Sequence, residues 1–126
     1  MKVASGPLLL GISSGAVGGA ILRYVIQRIG NLAFTHPYGT FLVNVVGSFL
    51  IGLVAGFFSH RAYSVWYHTI ATGFCGSFTT FSSISLEIFE MLRMGDHWRA
   101  LIYVGISLLS GLIAVALGWW LGMQIR

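Results

Sequence analysis

The sequence predicts an all-α membrane protein with four transmembrane helices per chain, the third of them broken near its middle. Three observations carry that expectation. Only 8% of the 126 residues are charged and 56% are hydrophobic, whereas a soluble domain carries about 25% charged residues. Four stretches reach the ~20 largely apolar residues that a bilayer crossing needs. One of the four is rich in hydroxyl side chains at membrane depth. Seven basic and three acidic side chains cannot clothe a water-soluble globule, and a chain this apolar does not stay disordered.

The first span runs over about 7–29 and is interrupted by Arg23. It lacks both the charged leader beyond Lys2 and the small-residue cleavage site of a removable signal. The second, about 37–58, carries no charge. The third, about 63–94, is polar in its middle and contains Glu87. The fourth, about 98–125, has one basic residue, Arg99, at its start. Turn signals fall between them at Gly30-Asn31, His36-Pro37, Ser59-His60-Arg61 and Gly95-Asp96-His97. The whole chain is then a single four-helix transmembrane domain over 1–126.

Four spans put both termini on one side. Lys2, Arg61 and Arg126 lie there, and Arg23, Arg28, Arg93 and Arg99 lie on the other. Orientation follows an excess of Lys and Arg in cytoplasmic loops, and here the two sides nearly balance. Either a subtler signal fixes the orientation, or the chain inserts both ways and pairs with an inverted copy, an antiparallel dual-topology homodimer. The second reading is preferred, because four helices hardly enclose a pore alone.

Small residues recur every three or four positions: Gly11, Gly15 and Gly19; Thr40, Asn44, Ser48, Gly52 and Gly56; Ser107, Gly111, Ala114, Gly118 and Gly122. Such residues share a helix face and let helices approach where lipid supplies no hydrophobic driving force. Thr40, Asn44 and Ser48 are either interhelical glue or the lining of a polar path.

The third span reads Gly73-Phe74-Cys75-Gly76-Ser77-Phe78-Thr79-Thr80-Phe81-Ser82-Ser83-Ile84-Ser85-Leu86-Glu87. Gly73 and Gly76 point to a break that frees backbone carbonyls for a cation. Beyond it Thr80, Ser83 and Glu87 share a face. Hydroxyls and the Asn44 amide donate hydrogen bonds, and aromatic edges carry positive character, so this cluster suits an anion. Polar clusters inside a membrane mark pathways. Glu87 is either a member of that track, hydrogen-bonded to Ser83, or an end-of-helix acid. Arg23 either snorkels to the interface or pairs near a vestibule, where it would concentrate anions. Tyr103 and Ser107 either extend the polar face onto the fourth span, or Tyr103 is an interfacial anchor like Trp66, Trp98 and Trp119.

Other classes fall away. A single cysteine, Cys75, permits no internal disulfide, and no nucleophile–base pair or metal-ligand spacing stands out, so an enzyme is not expected. The basic residues are dispersed, which argues against nucleic acid.

Gly18-Gly19-Ala20-Ile21-Leu22-Arg23-Tyr24, Gly39-Thr40-Phe41-Leu42-Val43-Asn44 and Gly76-Ser77-Phe78-Thr79-Thr80-Phe81-Ser82, in this order and with Glu87 beyond them, resemble the Fluc (CrcB) fluoride channels over essentially the whole chain. The resemblance implies an antiparallel homodimer in the plasma (inner) membrane that exports cytoplasmic fluoride by passive permeation through two pores. By it Asn44 and Phe81 line a pore, with Thr80, Ser83, Glu87, Tyr103 and Ser107 on its polar track and Arg23 at the vestibule. The backbone carbonyls of Gly76 and Thr79 match the break where the family holds a central sodium ion. Ile84 stands where the family has a second phenylalanine, and Gly111 where a hydroxyl residue is frequent. The alternatives are a small proton-coupled multidrug exporter, which needs a carboxylate in the first helix, and a non-transporting membrane subunit.

Overall fold

The computed structural model describes residues 5–33, 38–60 and 64–126, and every regular element among them is helical. Helix α1 spans Gly6–Ala33 and α2 spans Tyr38–Phe57. A short helix α3, Val65–His68, continues into a π-helical stretch, Thr69–Cys75, and then into α4, Gly76–Phe78. After an extended pair of residues come α5, Phe81–Arg93, and α6, His97–Gln124. The joints at His36-Pro37 and Arg61, and Lys2, lie outside the described residues.

Helices α1, α2 and α6 are each long and apolar enough to cross a membrane, matching three of the four expected spans to within a few residues. The remaining one divides into pieces too short to cross singly. The division is not where the glycines suggested. Gly76 has φ −61° and ψ −30° and stays helical, and Gly73 lies within the π-helical stretch against the backbone of Ile12. The chain opens instead at Thr79 (ψ 159°) and Thr80 (φ −151°, ψ 114°). Gly73 therefore provides close approach rather than a break.

Glycine seats hold the bundle together. Along α1, a Cβ on Gly11 would strike the Thr69 side chain, on Gly15 the Thr69 carbonyl, and on Gly19 the Phe74 carbonyl. The spacing in α1 is four residues, while its partners Thr69 and Phe74 are five apart, one turn of a π-helix. The wide turn thus keeps the second rod in register with the α1 groove. Between α2 and α6 the seats are reciprocal: Gly52 and Gly56 meet the carbonyls of Val115 and Trp119, and Gly118 and Gly122 meet those of Phe49 and Leu53. Backbones this close gain dispersion contacts.

The other turns are locally encoded. Ser64 caps α3 through Tyr67 N–H at 3.0 Å. Gly95 takes φ +80°, a conformation glycine adopts without a Cβ penalty, and Asp96 then caps α6 through Arg99 N–H at 3.3 Å. Phe78 is 1% exposed and stacks on Phe74 at 5.5 Å, so this ring belongs to the packing of a single chain.

Replacing Gly118 by leucine drives a side chain into the Phe49 carbonyl and should cost about 1–3 kcal/mol or more, read as a lower melting temperature in detergent. Gly6→Ala, with open space around it, should leave the melt unchanged.

Candidate functional site

The helix break is a site because of how its backbone groups are redirected. In a continuing helix the Thr80 amide would return to the Gly76 carbonyl. Here it donates to Asn44 Oδ1 at 2.7 Å, while Asn44 Nδ2 donates to the Thr80 carbonyl at 3.1 Å. One carboxamide on α2 thus satisfies both backbone groups of one residue, and a second Nδ2 proton stays available. Thr80, 6% exposed, then caps α5: its Oγ1 accepts from the Ser83 amide at 3.1 Å and also meets the hydroxyls of Ser83 at 3.1 Å and Ser82 at 3.0 Å. A Cβ on Gly47 would strike the Thr79 methyl, so that glycine lets α2 close over the break.

These redirections take the Thr80 and Ser83 amides away from the carbonyls of Gly76 and Thr79, two of the four carbonyls at the end of a helix that lose their i+4 partners. The Thr79 oxygen receives Arg23 Nη1 at 3.4 Å, a long contact. Backbone oxygens are hard ligands of the kind that suits an alkali or alkaline-earth cation. Among the described residues no group of three His, Cys, Asp or Glu side chains comes together to hold a metal ion.

A second polar group lies along α5. Glu87 accepts from Thr40 Oγ1 at 2.5 Å through Oε1 and from the Tyr103 hydroxyl at 2.7 Å through Oε2. Thr40 in turn accepts from Gln27 Nε2 at 3.0 Å. Four elements, α1, α2, α5 and α6, meet in this line. Ser83, expected as a partner of Glu87, is instead committed to Thr80, because the cap draws its amide and hydroxyl toward the break. The Tyr103 hydroxyl thus joins this polar line from α6. One turn along α6 from Tyr103, the Ser107 Oγ is buried with no hydrogen-bond partner among the described residues.

The structure thus gathers Asn44, Thr79, Thr80, Ser83 and Arg23 at the break and Thr40, Glu87 and Tyr103 beside it. Phe81 and Ile84 join neither set of hydrogen bonds. Phe81 opens α5 and is 82% exposed, and Ile84 is half-buried one turn further on. The reading of the sequence missed Gln27. Its signal was present: a carboxamide four residues after Arg23, hence on the same face of an apolar helix.

Asn44→Asp keeps the acceptor for the Thr80 amide but sets an oxygen against the Thr80 carbonyl. Asn44→Ala leaves both groups unsatisfied at a cost of about 1–3 kcal/mol. Faster hydrogen exchange at the Thr80 amide in Asn44→Ala than in Asn44→Asp is the expected pattern.

The profile described as "CrcB-like protein, Camphor Resistance (CrcB)" matches residues 10–119. A protein of Hyphomonas neptunium named "Fluoride-specific ion channel FluC" is 39% identical over 87% of this chain and 93% of its own length. Namesakes from Methanococcus aeolicus and Francisella tularensis subsp. tularensis are 40% and 36% identical. They cover 93% and 95% of this chain and 96% and 98% of their own lengths.

Proposed function

This chain belongs to the CrcB family, a family of multi-pass membrane proteins, and we propose that it is a fluoride-selective ion channel working by passive permeation. The relatives compared above carry that name, and none supports the drug-exporter alternative, whose first-helix carboxylate the sequence lacks. A channel performs no chemical step, so the protein is not an enzyme.

One observation carries the mechanism: a line of hydroxyl and amide groups in a protein otherwise built for lipid. Fluoride is small and strongly hydrated, and its water must be replaced by compact donors as it enters. The Thr40 and Tyr103 hydroxyls now serve Glu87, and an anion arriving beside them competes with that carboxylate for the same protons. The Ser107 hydroxyl, without a partner among the described residues, and the spare Asn44 proton are further donors. Arg23 favours anions near the break through its charge.

The pore itself is assigned to an antiparallel homodimer in the plasma (inner) membrane, with α3 to α5 forming one broken crossing. Support comes from the near balance of Lys and Arg between the two sides and from the outward face of α5. There Phe81, Ser82, Ser85 and Phe89 are all exposed, a mixed aromatic and hydroxyl face that acyl chains match poorly even with Ser82 paired to Thr80 and Ser85 to the Phe81 carbonyl. A second copy covers that face and brings Phe81 to the pore. In the same assembly the carbonyls of Gly76 and Thr79 from both chains would hold a central sodium ion, which would tie the two breaks together. Ile84 presents methyl groups where the family carries a ring.

Proteoliposomes should release fluoride orders of magnitude faster than chloride. Tyr103→Phe, which removes a hydrogen bond to a charged group worth about 1.5–3 kcal/mol, should slow release by roughly ten-fold or more. Phe81→Ile should slow it while the dimer persists on gel filtration. Equal chloride and fluoride rates would contradict the assignment.

A further inference from the structure

We infer that Gln27 is a positioning residue: its carboxamide N–H fixes the direction of the Thr40 hydroxyl, committing the one Thr40 proton to Glu87. The flux consequence rests on the channel reading above; the geometry does not.

The contact follows from backbone proximity. A Cβ on Gly39 would lie 2.7 Å from Gln27 Cα, and a Cβ on Gly30 would lie 2.8 Å from Gly39 Cα. Two glycines therefore let α1 and α2 touch at this level, which brings the Gln27 side chain to Thr40, the residue after Gly39. Thr40 is 1% exposed, so water does not supply its partners.

Chemistry dictates the polarity of the line. A carboxylate only accepts, so the Thr40 proton and the Tyr103 proton both go to Glu87. Thr40 Oγ1 has no second proton, and the group facing it from Gln27 must be the N–H rather than the oxygen. Without that donor the acceptor side of Thr40 Oγ1 is left open, and the hydroxyl is free to rotate away from Glu87. Gln27 thus makes the donor orientation the resting one. The Thr40 proton is held where an anion beside Glu87 meets it.

The test uses full-length protein in liposomes. Gln27→Met keeps length and removes the N–H. Gln27→Glu keeps shape and places an acceptor opposite Thr40. The infrared carboxylate stretch of Glu87, identified as the band lost in Glu87→Gln, should shift in Gln27→Met and more strongly in Gln27→Glu. In a Thr40→Val background Gln27→Met should cause no further shift. Fluoride efflux should fall about five-fold in Gln27→Met, the size of one neutral hydrogen bond, and the same substitution should have no effect on Thr40→Val. If Gln27→Met does not fold, Gln27→Asn, one methylene too short to reach, must reproduce the band shift. An unmoved band, or effects of Gln27→Met and Thr40→Val that simply multiply, would overturn the inference. Band coupling present in a protein that passes no fluoride would support it while removing the channel reading.

Discussion

The pairing of the Asn44 carboxamide with the amide and carbonyl of Thr80 is the constraint on which the rest of the structure depends. An interrupted helix in a membrane leaves backbone groups with no water to satisfy them, at several kcal/mol each. A single carboxamide answers both groups of one residue, at 2.7 and 3.1 Å. With that cost met, Thr80 is free to cap α5 in its own right. The direction in which α5 leaves the break then determines that Glu87 faces α2 and α6. Lose the clamp and the interruption is a defect; keep it and two carbonyls and a carboxylate stand at defined places between helices.

Packing supplies the complementary half of the argument. The polar line from Gln27 through Thr40 to Glu87 and Tyr103 joins four elements, and hydrogen bonds of 2.5–3.0 Å require the backbones to be close. Glycines at 30 and 39 provide that for α1 and α2, and the reciprocal seats at 52, 56, 118 and 122 provide it for α2 and α6. The π-helical stretch has a similar purpose. Its five-residue turn compensates for the four-residue spacing of the α1 glycines, which delivers Phe78 and Thr79 to Gly47 at the correct height.

The long apolar helices were legible from composition and length, because the bilayer thickness is a one-dimensional ruler. The glycine faces were legible from their spacing. The position of the break was not: Gly73 and Gly76 are permissive of irregular backbone, but Thr79 and Thr80 actually open, because the side chain that rewards opening sits on another helix. The pairing of Ser83 was missed for a related reason, since i, i+3 and i+7 spacing places groups on one face without saying which will be drawn into a cap. Gln27 escaped notice because its approach to Thr40 depends on the close passage of α1 and α2 at Gly30 and Gly39, which a position four residues after Arg23 does not by itself reveal.

The central claim is that fluoride travels along the oriented hydroxyls beside Glu87. The most direct measurement is solid-state NMR on fluoride-loaded proteoliposomes, frozen to halt exchange, with 19F recoupled to 13C-labelled threonine and tyrosine. The account predicts dephasing of the Thr40 Cβ and Tyr103 Cζ signals, lost when Thr40→Val and Tyr103→Phe remove the hydroxyls. Dephasing confined to other threonines and tyrosines, with these two carbons untouched, would contradict it.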